Sequence, residues 1–356
     1  MTKTYSVITA TGRYIPEKVV SREDFLKSVF SDSNGLEFEK AIEEIIKKFE
    51  DIAGIYERRH VTDDLVTSDI AYFAAKDALK SSGIDGESLD YIIVAHNFGD
   101  VKAGNKRSDF VPTLAARVKY RLGIENAGTI AYDIPFGCPG WLMGMIQANY
   151  YIKSGDAKRI LVIGAETLSR ISDPHDRDSM LYSDGAGATI LEAAESDEPL
   201  GILSHAMRSD TISQAFMLRM ERSYGSNYNG NDLFLKMDGH NLYKYAVKTV
   251  PQVVLEAVEK AELTLGDINK VLLHQANDKM DRAILKRVFG KEEIPANIMP
   301  MTISWLGNSS VATLPTLLDL IRKGNLEGHS FKSGDNVIFA SVGAGMNINA
   351  AVYRIQ

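Results

Sequence analysis

Two kinds of apolar pattern alternate along this chain. Helical spacing occurs in residues 67–84, TSDIAYFAAKDALKSSGI, and an almost continuous apolar run typical of a buried strand follows at residues 90–97, DYIIVAHN. Residues 249–277 repeat the same order of helix, short Gly/Asp turn and apolar strand, with Asn97 and Asn277 at equivalent strand ends. This alternation of helices and strands indicates an α/β protein.

The similarity between the two parts extends past this unit. In each part a second helix follows, then a segment leading into a further helix, then an apolar strand. Each part closes with a Gly/Ala-rich pair that resembles a hairpin, GAGATILEA and GAGMNINAAVYRI. We therefore predict an internal duplication of two βαβ-rich halves, residues 1–195 and residues 196–356.

Composition narrows the class of protein. With 45% hydrophobic and 24% charged residues the chain can bury a large core, and its net charge of −7 argues against nucleic-acid binding. No segment resembles a signal peptide or a membrane helix, so we expect a cytoplasmic protein without membrane insertion. A single cysteine excludes an intrachain disulfide and a cysteine-based metal site, and we expect no metal.

That cysteine, Cys138, lies in the sequence FGCPGW, where the pattern predicts that a strand ends and an apolar helix begins. The free N–H groups and positive dipole end of a helix N-terminus favour a thiolate, so we expect the pKa of Cys138 to be lowered. The flanking glycines would let a ligand approach closely. A small buried apolar residue is the alternative interpretation of a lone cysteine.

Two further residues give the cysteine a chemical context. His274 ends an apolar strand in KVLLHQAN, and Asn308 lies in WLGNSSVAT, at a turn that opens another helix. A cysteine, a histidine and an asparagine can supply a nucleophile, its proton partner and a donor to a developing oxyanion. Papain-like proteases and thiolase-fold condensing enzymes both use this trio. The protease signature around the cysteine is absent, and a duplicated α/β plan fits that fold poorly.

Several longer motifs carry a specific resemblance. They are GRYIPEKVVSREDF, GIYERRHVTDD, FGCPGW, LYSDGAGATIL, MDGHNLYKYAV, LHQAN, GNSSVATLP and SVGAGMNINAA. Over nearly its whole length the chain resembles β-ketoacyl-acyl carrier protein synthase III-type enzymes. The resemblance implies a thiolase-like α/β fold, with the duplicated halves stacked as αβαβα layers.

The same resemblance implies a reaction and the residues that perform it. An acyl group would pass from a thioester to Cys138, and a malonyl-type or β-ketoacyl thioester would then condense with it in a decarboxylative Claisen reaction. His274 and Asn308 would donate to the enolate oxygen, while backbone N–H groups at Cys138, Gly343 and Gly345 would bind the oxyanion. No cofactor is expected.

Three departures from the family pattern leave the pathway open. Phe-Gly-Cys-Pro-Gly-Trp surrounds the cysteine; a charged helical run at 36–53 replaces a segment whose tryptophan stacks on the coenzyme A adenine; and the loop at 97–112 is extended. Fatty-acid initiation and a dialkylresorcinol-type enzyme that joins two carrier-bound chains both remain. A non-catalytic thiolase-fold partner subunit is disfavoured by the intact trio. Val111 stands where head-to-head condensing relatives carry a carboxylate.

Partners are also implied. Lys279, Arg282 and Lys286 recur at helical spacing just after HQAN, where the family docks its acidic acyl carrier protein. We expect thioesters of acyl carrier protein, of coenzyme A, or of both as substrates. The resemblance further implies a homodimer in which Phe110 and Val111 reach the neighbouring tunnel.

Overall fold

Two sheets organise the molecule, which is described from a computed structural model covering residues 2–356. The strands within this range are β1 (Lys3–Tyr14), β2 (Lys18–Val20), β3 (Arg58–His60), β4 (Tyr91–His96), β5 (Asp100–Val101), β6 (Ser108–Asp109), β7 (Ile130–Pro135), β8 (Arg159–Thr167), β9 (Asp184–Ser196), β10 (Gly201–Ser209), β11 (Leu218–Glu221), β12 (Phe234–Met237), β13 (Ile268–Leu273), β14 (Asn336–Gly343) and β15 (Asn347–Arg354). The α-helices are α1 (Ile42–Ala53), α2 (Thr67–Ser82), α3 (Leu114–Leu122), α4 (Gly140–Ser154), α5 (Gly239–Lys260), α6 (Asp278–Phe289), α7 (Ile303–Leu306) and α8 (Thr313–Arg322).

The strand order repeats from one sheet to the other. The first sheet runs β1-β9-β8-β4-β7, and the second runs β10-β15-β14-β13. In the first, β4 lies parallel to β8 and β7, while β9 is antiparallel to both of its neighbours. In the second, β13 lies parallel to β14, and β15 is antiparallel to both neighbours. The predicted duplication is confirmed, and so is the closing hairpin β14–β15. The predicted hairpin within GAGATILEA is wrong, because these residues form part of the single strand β9, which pairs with β8 instead.

Alternating side chains place each sheet between two helical layers. In β4, Ile92 and Val94 pack with α2 and α3, whereas Ile93 and Ala95 face α4 and α8. In β14, Val337 and Phe339 also face α4 and α8, while the alternate residues Ile338 and Ala340 pack with α5 and α6. Both faces of each strand are therefore apolar, which explains the continuous apolar runs in the sequence.

Helices α4 and α8 form the central layer of this stack. Their apolar side chains belong to one core that draws residues from both sheets, and the rings of Trp141 and Phe339 meet edge to face at 5.8 Å. The order of layers is therefore α2/α3, first sheet, α4/α8, second sheet, α5/α6. The predicted αβαβα arrangement is confirmed. No helix in residues 2–356 combines the length and apolarity needed to cross a bilayer.

The second sheet ends one strand earlier than the first. Residues 296–301 occupy the position in sequence that corresponds to β7, yet they form no strand. Only a single ladder-like bond forms, from the N–H of Val271 to the carbonyl of Ile298 at 2.9 Å. Pro295 and Pro300 lack an N–H, and Asn297 takes a left-handed φ of 58°, so the segment cannot continue a ladder.

In three segments, the observed helices and strands differ in length from those that the sequence pattern predicts. The charged run at 36–53 is helical only from Ile42, because the residues before it pair back through a bridge between Ser31 and Glu37. The extended loop at 97–112 contains the short hairpin β5–β6. Helix α5 starts at Gly239, ten residues before the helical pattern of residues 249–277 begins, and it contains Pro251.

Candidate active site

Cys138 lies where β7 passes into α4, two residues before the helix begins. The chain turns there through Gly137, whose φ is +71°. A Cβ placed on Gly343 would lie 2.6 Å from the Cys138 backbone nitrogen, so only glycine lets β14 approach this turn. Within residues 2–356 the Cys138 N–H donates to no other residue, which leaves it available to a bound ligand.

His274 and Asn308 come from the second half of the chain. His274 directly follows β13, and its N–H donates to the Ala340 carbonyl at 2.8 Å, so the neighbouring strand fixes its backbone. Asn308 follows α7, and its N–H donates to the Leu181 carbonyl at 3.0 Å. The Asn308 Oδ1 accepts the Ser310 N–H at 2.8 Å. Because that N–H can only donate, the Nδ2 end of the Asn308 amide remains for a ligand.

All three side chains line one cavity of about 610 Å³, mouth included. The first half of the chain contributes Cys138 to its wall, and the second half contributes His274 and Asn308. Most of the remaining wall is apolar and consists of Phe98, Leu168, Tyr182, Leu218, Leu235, Met237, Leu242, Ala276, Met280 and Val342. The arrangement combines a nucleophile and polar donors with room for an apolar group.

Burial controls the protonation of the thiol. It raises the pKa of Cys138 to about 11, an effect that the hydrogen bond from Ser310 opposes and the nearby Glu166 reinforces. Part of the residue faces the cavity, but the surrounding protein excludes much of the water that would stabilise a thiolate. The expectation of a lowered pKa is wrong, because desolvation outweighs the helix N-terminus.

His274 is neutral in the same environment. Burial lowers its pKa to about 4, so the imidazole carries one proton near neutral pH. Its Nδ1 is enclosed and has no hydrogen-bond partner within residues 2–356. A proton on that nitrogen would have no acceptor, which favours the tautomer protonated at Nε2, the nitrogen left to meet a ligand.

Three polar residues near the thiol were not among the predicted site residues. Ser310 Oγ donates to Cys138 Sγ at 3.4 Å, and the Asn97 side chain donates to Ser310 Oγ at 3.1 Å. Asn97 in turn donates to the buried Glu166. The sequence held partial signals, since Ser310 belongs to the GNSS motif and Asn97 ends a strand.

The other predicted residues are distributed around this centre. Gly343 lines the cavity, whereas Gly345 is not part of the wall formed by the described residues. The Phe110 ring stacks on His96 within its own chain, with centroids 5.8 Å apart, but Val111 is 86% exposed.

The predicted basic residues all lie on the exposed face of α6. Arg282 pairs with Asp278 one turn earlier, at 2.9 Å. No ion pair involves Lys279 or Lys286 within the part of the chain described. The opposite face of the helix is buried, and Met280 reaches the cavity wall. One face of α6 is therefore exposed and basic, and the opposite face contributes to the cavity wall.

A protein family and proteins of known name resemble this chain, and they indicate its class of enzyme. The family described as 3-oxoacyl-[acyl-carrier-protein (ACP)] synthase III matches residues 132–211, and its C-terminal part matches residues 258–355. The beta-ketoacyl-[acyl-carrier-protein] synthase III of Xanthomonas campestris pv. campestris (strain ATCC 33913) is 33% identical over 355 residues, 98% of each chain.

Solved structures agree with the sequence comparison. The synthase III of Thermus thermophilus is 31% identical with a TM-score of 0.80, and that of Aquifex aeolicus is 29% identical, also at 0.80; each match covers 98% of this chain and 99% of the other. A priming β-ketosynthase of the R1128 polyketide pathway is 25% identical at a TM-score of 0.80, covering 99% and 96%.

The fold, the family match and these relatives together define an acyl-condensing transferase of the thiolase fold, an enzyme that forms carbon–carbon bonds. More narrowly, the chain belongs to the 3-oxoacyl-[acyl-carrier-protein] synthase III family.

Proposed function

We propose that this enzyme loads an acyl group from a thioester onto Cys138 and then condenses it with a decarboxylating thioester. One observation carries the proposal: the only thiol of the chain shares an apolar-walled cavity with a neutral imidazole and a free amide donor, His274 and Asn308. A nucleophile beside two neutral donors suits acyl transfer followed by enolate formation.

In the first half-reaction, the Cys138 sulfur attacks the thioester carbonyl, and the donor thiol leaves with the proton that the cysteine loses. The carbonyl oxygen becomes negative as the carbon turns tetrahedral, so it needs a donor in place. The unpaired N–H of Cys138 is suitably placed, and the close packing of Gly343 holds that peptide still. Because Gly345 lies away from the wall, we assign oxyanion binding to the Cys138 N–H rather than to Gly345.

In the second half-reaction, a malonyl-type thioester loses CO2 and leaves an enolate, whose carbon attacks the acyl-Cys138 carbonyl. The carbon–sulfur bond to Cys138 then breaks, so that the β-ketoacyl thioester is released and the Cys138 thiolate takes up a proton. His274 through Nε2–H and Asn308 through Nδ2 would donate to the enolate oxygen. A neutral imidazole is suited to this task, because the pKa of His274 near 4 lets it donate without first gaining a proton. We therefore assign these two residues to the condensation step.

The acyl group that the cavity accepts is longer than a two-carbon unit, in our proposal. Leu218, Leu235, Met237 and Leu242 contribute to an apolar cavity wall, and two of its polar residues, Asn97 and Ser310, are linked to Cys138 by hydrogen bonds. Burying methylene groups against such a wall is favourable by roughly 0.8 kcal/mol each. Affinity for the donor should therefore rise with chain length until the cavity is full.

Helix α6 is the surface on which we propose that an acidic acyl carrier protein docks. Lys279, Arg282 and Lys286 are exposed, while Met280 of the same helix reaches the cavity. A carrier on the outer face would thus have its arm close to the cavity. The Arg282 charge is partly neutralised by Asp278, so Lys279 and Lys286 carry most of the attraction. Carrier-bound substrates would place the enzyme in the cytoplasm.

We further propose a homodimer joined at the open edge of β7. That strand is the outer strand of the first sheet, and Ile130 at its start is half exposed. An unpaired apolar edge is a template for another strand. Val111 projects from the same half and would reach the partner's tunnel, whereas the Phe110 ring is retained by His96. Residues 1–195 and 196–356 are, in this proposal, the functional halves of each protomer.

Mass spectrometry of the intact protein tests the central proposal. The protein is incubated with acyl thioesters of increasing chain length, carried by coenzyme A or by an acyl carrier protein, and the mass gain is recorded. We expect one acyl group per chain, absent in Cys138→Ala. Adding malonyl or β-ketoacyl thioesters to the acylated enzyme then distinguishes chain initiation from the joining of two acyl chains. Acylation of Cys138→Ala to the same extent as wild type would refute the assignment.

A further inference from the structure

A chain of hydrogen bonds runs away from the thiol into the protein. Ser310 Oγ donates to Cys138 Sγ at 3.4 Å, and Asn97 Nδ2 donates to Ser310 Oγ at 3.1 Å. Asn97 is itself anchored, because its backbone N–H and its Nδ2 both donate to Glu166 Oε2, at 2.7 and 2.5 Å. The four residues come from separate parts of the fold: the end of β4, the turn before α4, strand β8 and the turn before α8.

The chain has a direction. The Asn97 backbone N–H can only donate, so Glu166 Oε2 is an acceptor even though burial raises the pKa of Glu166 to about 7 and leaves the carboxyl partly protonated near neutral pH. An amide NH2 can also only donate, so the Asn97 amide must point its hydrogens towards Glu166 and Ser310. The Ser310 oxygen is then already an acceptor for Asn97. Its single hydrogen is left for the Cys138 sulfur. Two residues that never touch the thiol thus determine how the hydroxyl that does touch it is turned.

The backbone of Ser310 is unusual in a way that supports a special role. Its φ is +53°, in the left-handed region that a serine adopts only at some cost in backbone energy. This conformation lets the Ser310 N–H donate to Asn308 Oδ1 while the hydroxyl reaches Cys138. A single residue therefore orients an amide on one side and a thiol on the other.

We propose that Ser310 is a further catalytic residue, a hydrogen-bond donor that stabilises the Cys138 thiolate, and that Asn97 and Glu166 are positioning residues that hold its hydroxyl in the donating orientation. The inference rests on Cys138 being the nucleophile of the proposed function. It assigns the Glu166 carboxylate the task of an acceptor that fixes Asn97, with no proton transferred along the chain.

The surroundings of the thiol disfavour its ionised form, and the Ser310 hydroxyl opposes this effect. Burial raises the pKa of Cys138, and the negative charge of Glu166 raises it further, whereas the Ser310 bond lowers it. The other titratable groups in the cavity wall, His274 and Tyr182, are uncharged near neutral pH, since burial lowers the pKa of the first and raises that of the second. Ser310 is thus the side-chain group that favours the ionised sulfur.

Alkylation by iodoacetamide measures the thiol directly. Because Cys138 is the only cysteine, the rate of mass gain against pH reports its ionisation without any thioester turnover. Ser310→Ala should shift the profile upward by about one pH unit and slow alkylation about tenfold near neutral pH. Ser309→Ala is the matched control, because that buried hydroxyl contacts Thr313 instead, and it should stay within about twofold of wild type.

Variants further along the chain test the positioning roles. Asn97→Ala should shift the profile in the same direction by a smaller amount, since the serine hydroxyl is still present but free to turn. Glu166→Gln keeps an acceptor oxygen for Asn97 and removes the charge, so it should leave the profile unshifted or move it down. An upward shift in Glu166→Gln as large as that of Ser310→Ala would overturn the role given to the carboxylate.

Ser310→Ala coinciding with wild type, or shifting no more than Ser309→Ala, would overturn the proposal itself. These outcomes are separate from the fate of the proposed function. If no acyl thioester loads wild-type Cys138, the alkylation profiles still decide whether Ser310 tunes the thiol.

Discussion

The two halves of this protein share a strand order but differ at one position. In the first half, β7 completes a five-stranded sheet and leaves an open edge. In the second half, residues 296–301 occupy the corresponding place, and prolines together with a left-handed Asn297 prevent a strand. Cys138 follows the first of these segments and Asn308 follows the second. The duplicated framework thus brings Cys138 and Asn308 to one cavity, while only the first sheet ends in a regular edge strand at this position.

Two asparagines show the difference on a smaller scale. The prediction that Asn97 and Asn277 end equivalent strands is wrong, because Asn97 directly follows β4, whereas β13 ends at Leu273 and Asn277 is the N-cap of α6. The Asn97 side chain donates to Glu166 and Ser310, but the Asn277 side chain accepts the Met280 N–H and caps α6. The two asparagines therefore occupy different positions in their repeats, one at a strand end near the thiol and the other at the start of the basic helix.

The largest expected effect comes from removing the reactive group of the first half. Cys138→Ala should lose all detectable acylation and condensation, because no other thiol is present. Intact-protein mass spectrometry with the best acyl donor checks this. His274→Ala is the matched variant from the second half, and it should still take up the acyl group. Loss of acylation in both variants would contradict the division of labour between the halves.

Removing the donors of the second half should have a large but selective effect. His274→Ala and Asn308→Ala should slow condensation about 100-fold or more, because each removes a donor to the developing enolate. Acylation of Cys138 should fall far less. Single-turnover measurements of the two half-reactions check the contrast, and similar losses in both would remove the assignment of these residues to the second step.

The open edge of the first sheet predicts an intermediate effect on assembly. Ile130→Asp places a charge at the start of β7, and it should weaken the dimer about tenfold or more, since burying an unpaired carboxylate is costly. Light scattering across a dilution series measures the change. Ile212→Asp is a suitable control, as Ile212 is fully exposed and follows β10, a strand of the second sheet. Equal dimer stability in both variants would place the interface elsewhere.

The smallest effect concerns the outer helix of the second half. Lys279→Glu should lower kcat/KM for a carrier-bound substrate about three- to fivefold, and raised salt should reduce the same rate in wild type, because attraction between exposed charges is screened. The coenzyme A thioester of the same acyl group should be little affected. Lys80→Glu, an exposed lysine at the end of α2 in the outer layer of the first half, is the matched control. An equal response to the two charge reversals would contradict docking on α6.

Much of the framework was predictable because its signals are local. Strands buried on both faces show continuous apolar runs, and α2 shows a clear helical period, so their order along the chain identified the α/β plan and its repeat. Cys138, His274 and Asn308 were predicted differently, from the lone thiol and from the motifs FGCPGW, LHQAN and GNSSVATLP, and the structure brings them to one cavity. The missing strand also had a visible cause in Pro295 and Pro300.

What the sequence could not supply depends on contacts between distant residues. Asn97 and Ser310 are 213 positions apart, so their hydrogen bond leaves no local pattern. The pKa of Cys138 was predicted in the wrong direction for a related reason. A helix N-terminus is visible in the sequence, but the desolvation that outweighs it arises only when the second half closes over the thiol.

The shared central layer also has a consequence for synthesis. Trp141 and the other apolar residues of α4 are covered by α8 and by the second sheet, which are the last parts of the chain to be made. At roughly 5–20 residues per second, Thr313 leaves the ribosome on the order of ten seconds after Ser154. For that interval the nascent first half carries an uncovered apolar face, and such transiently exposed surface is prone to aggregation.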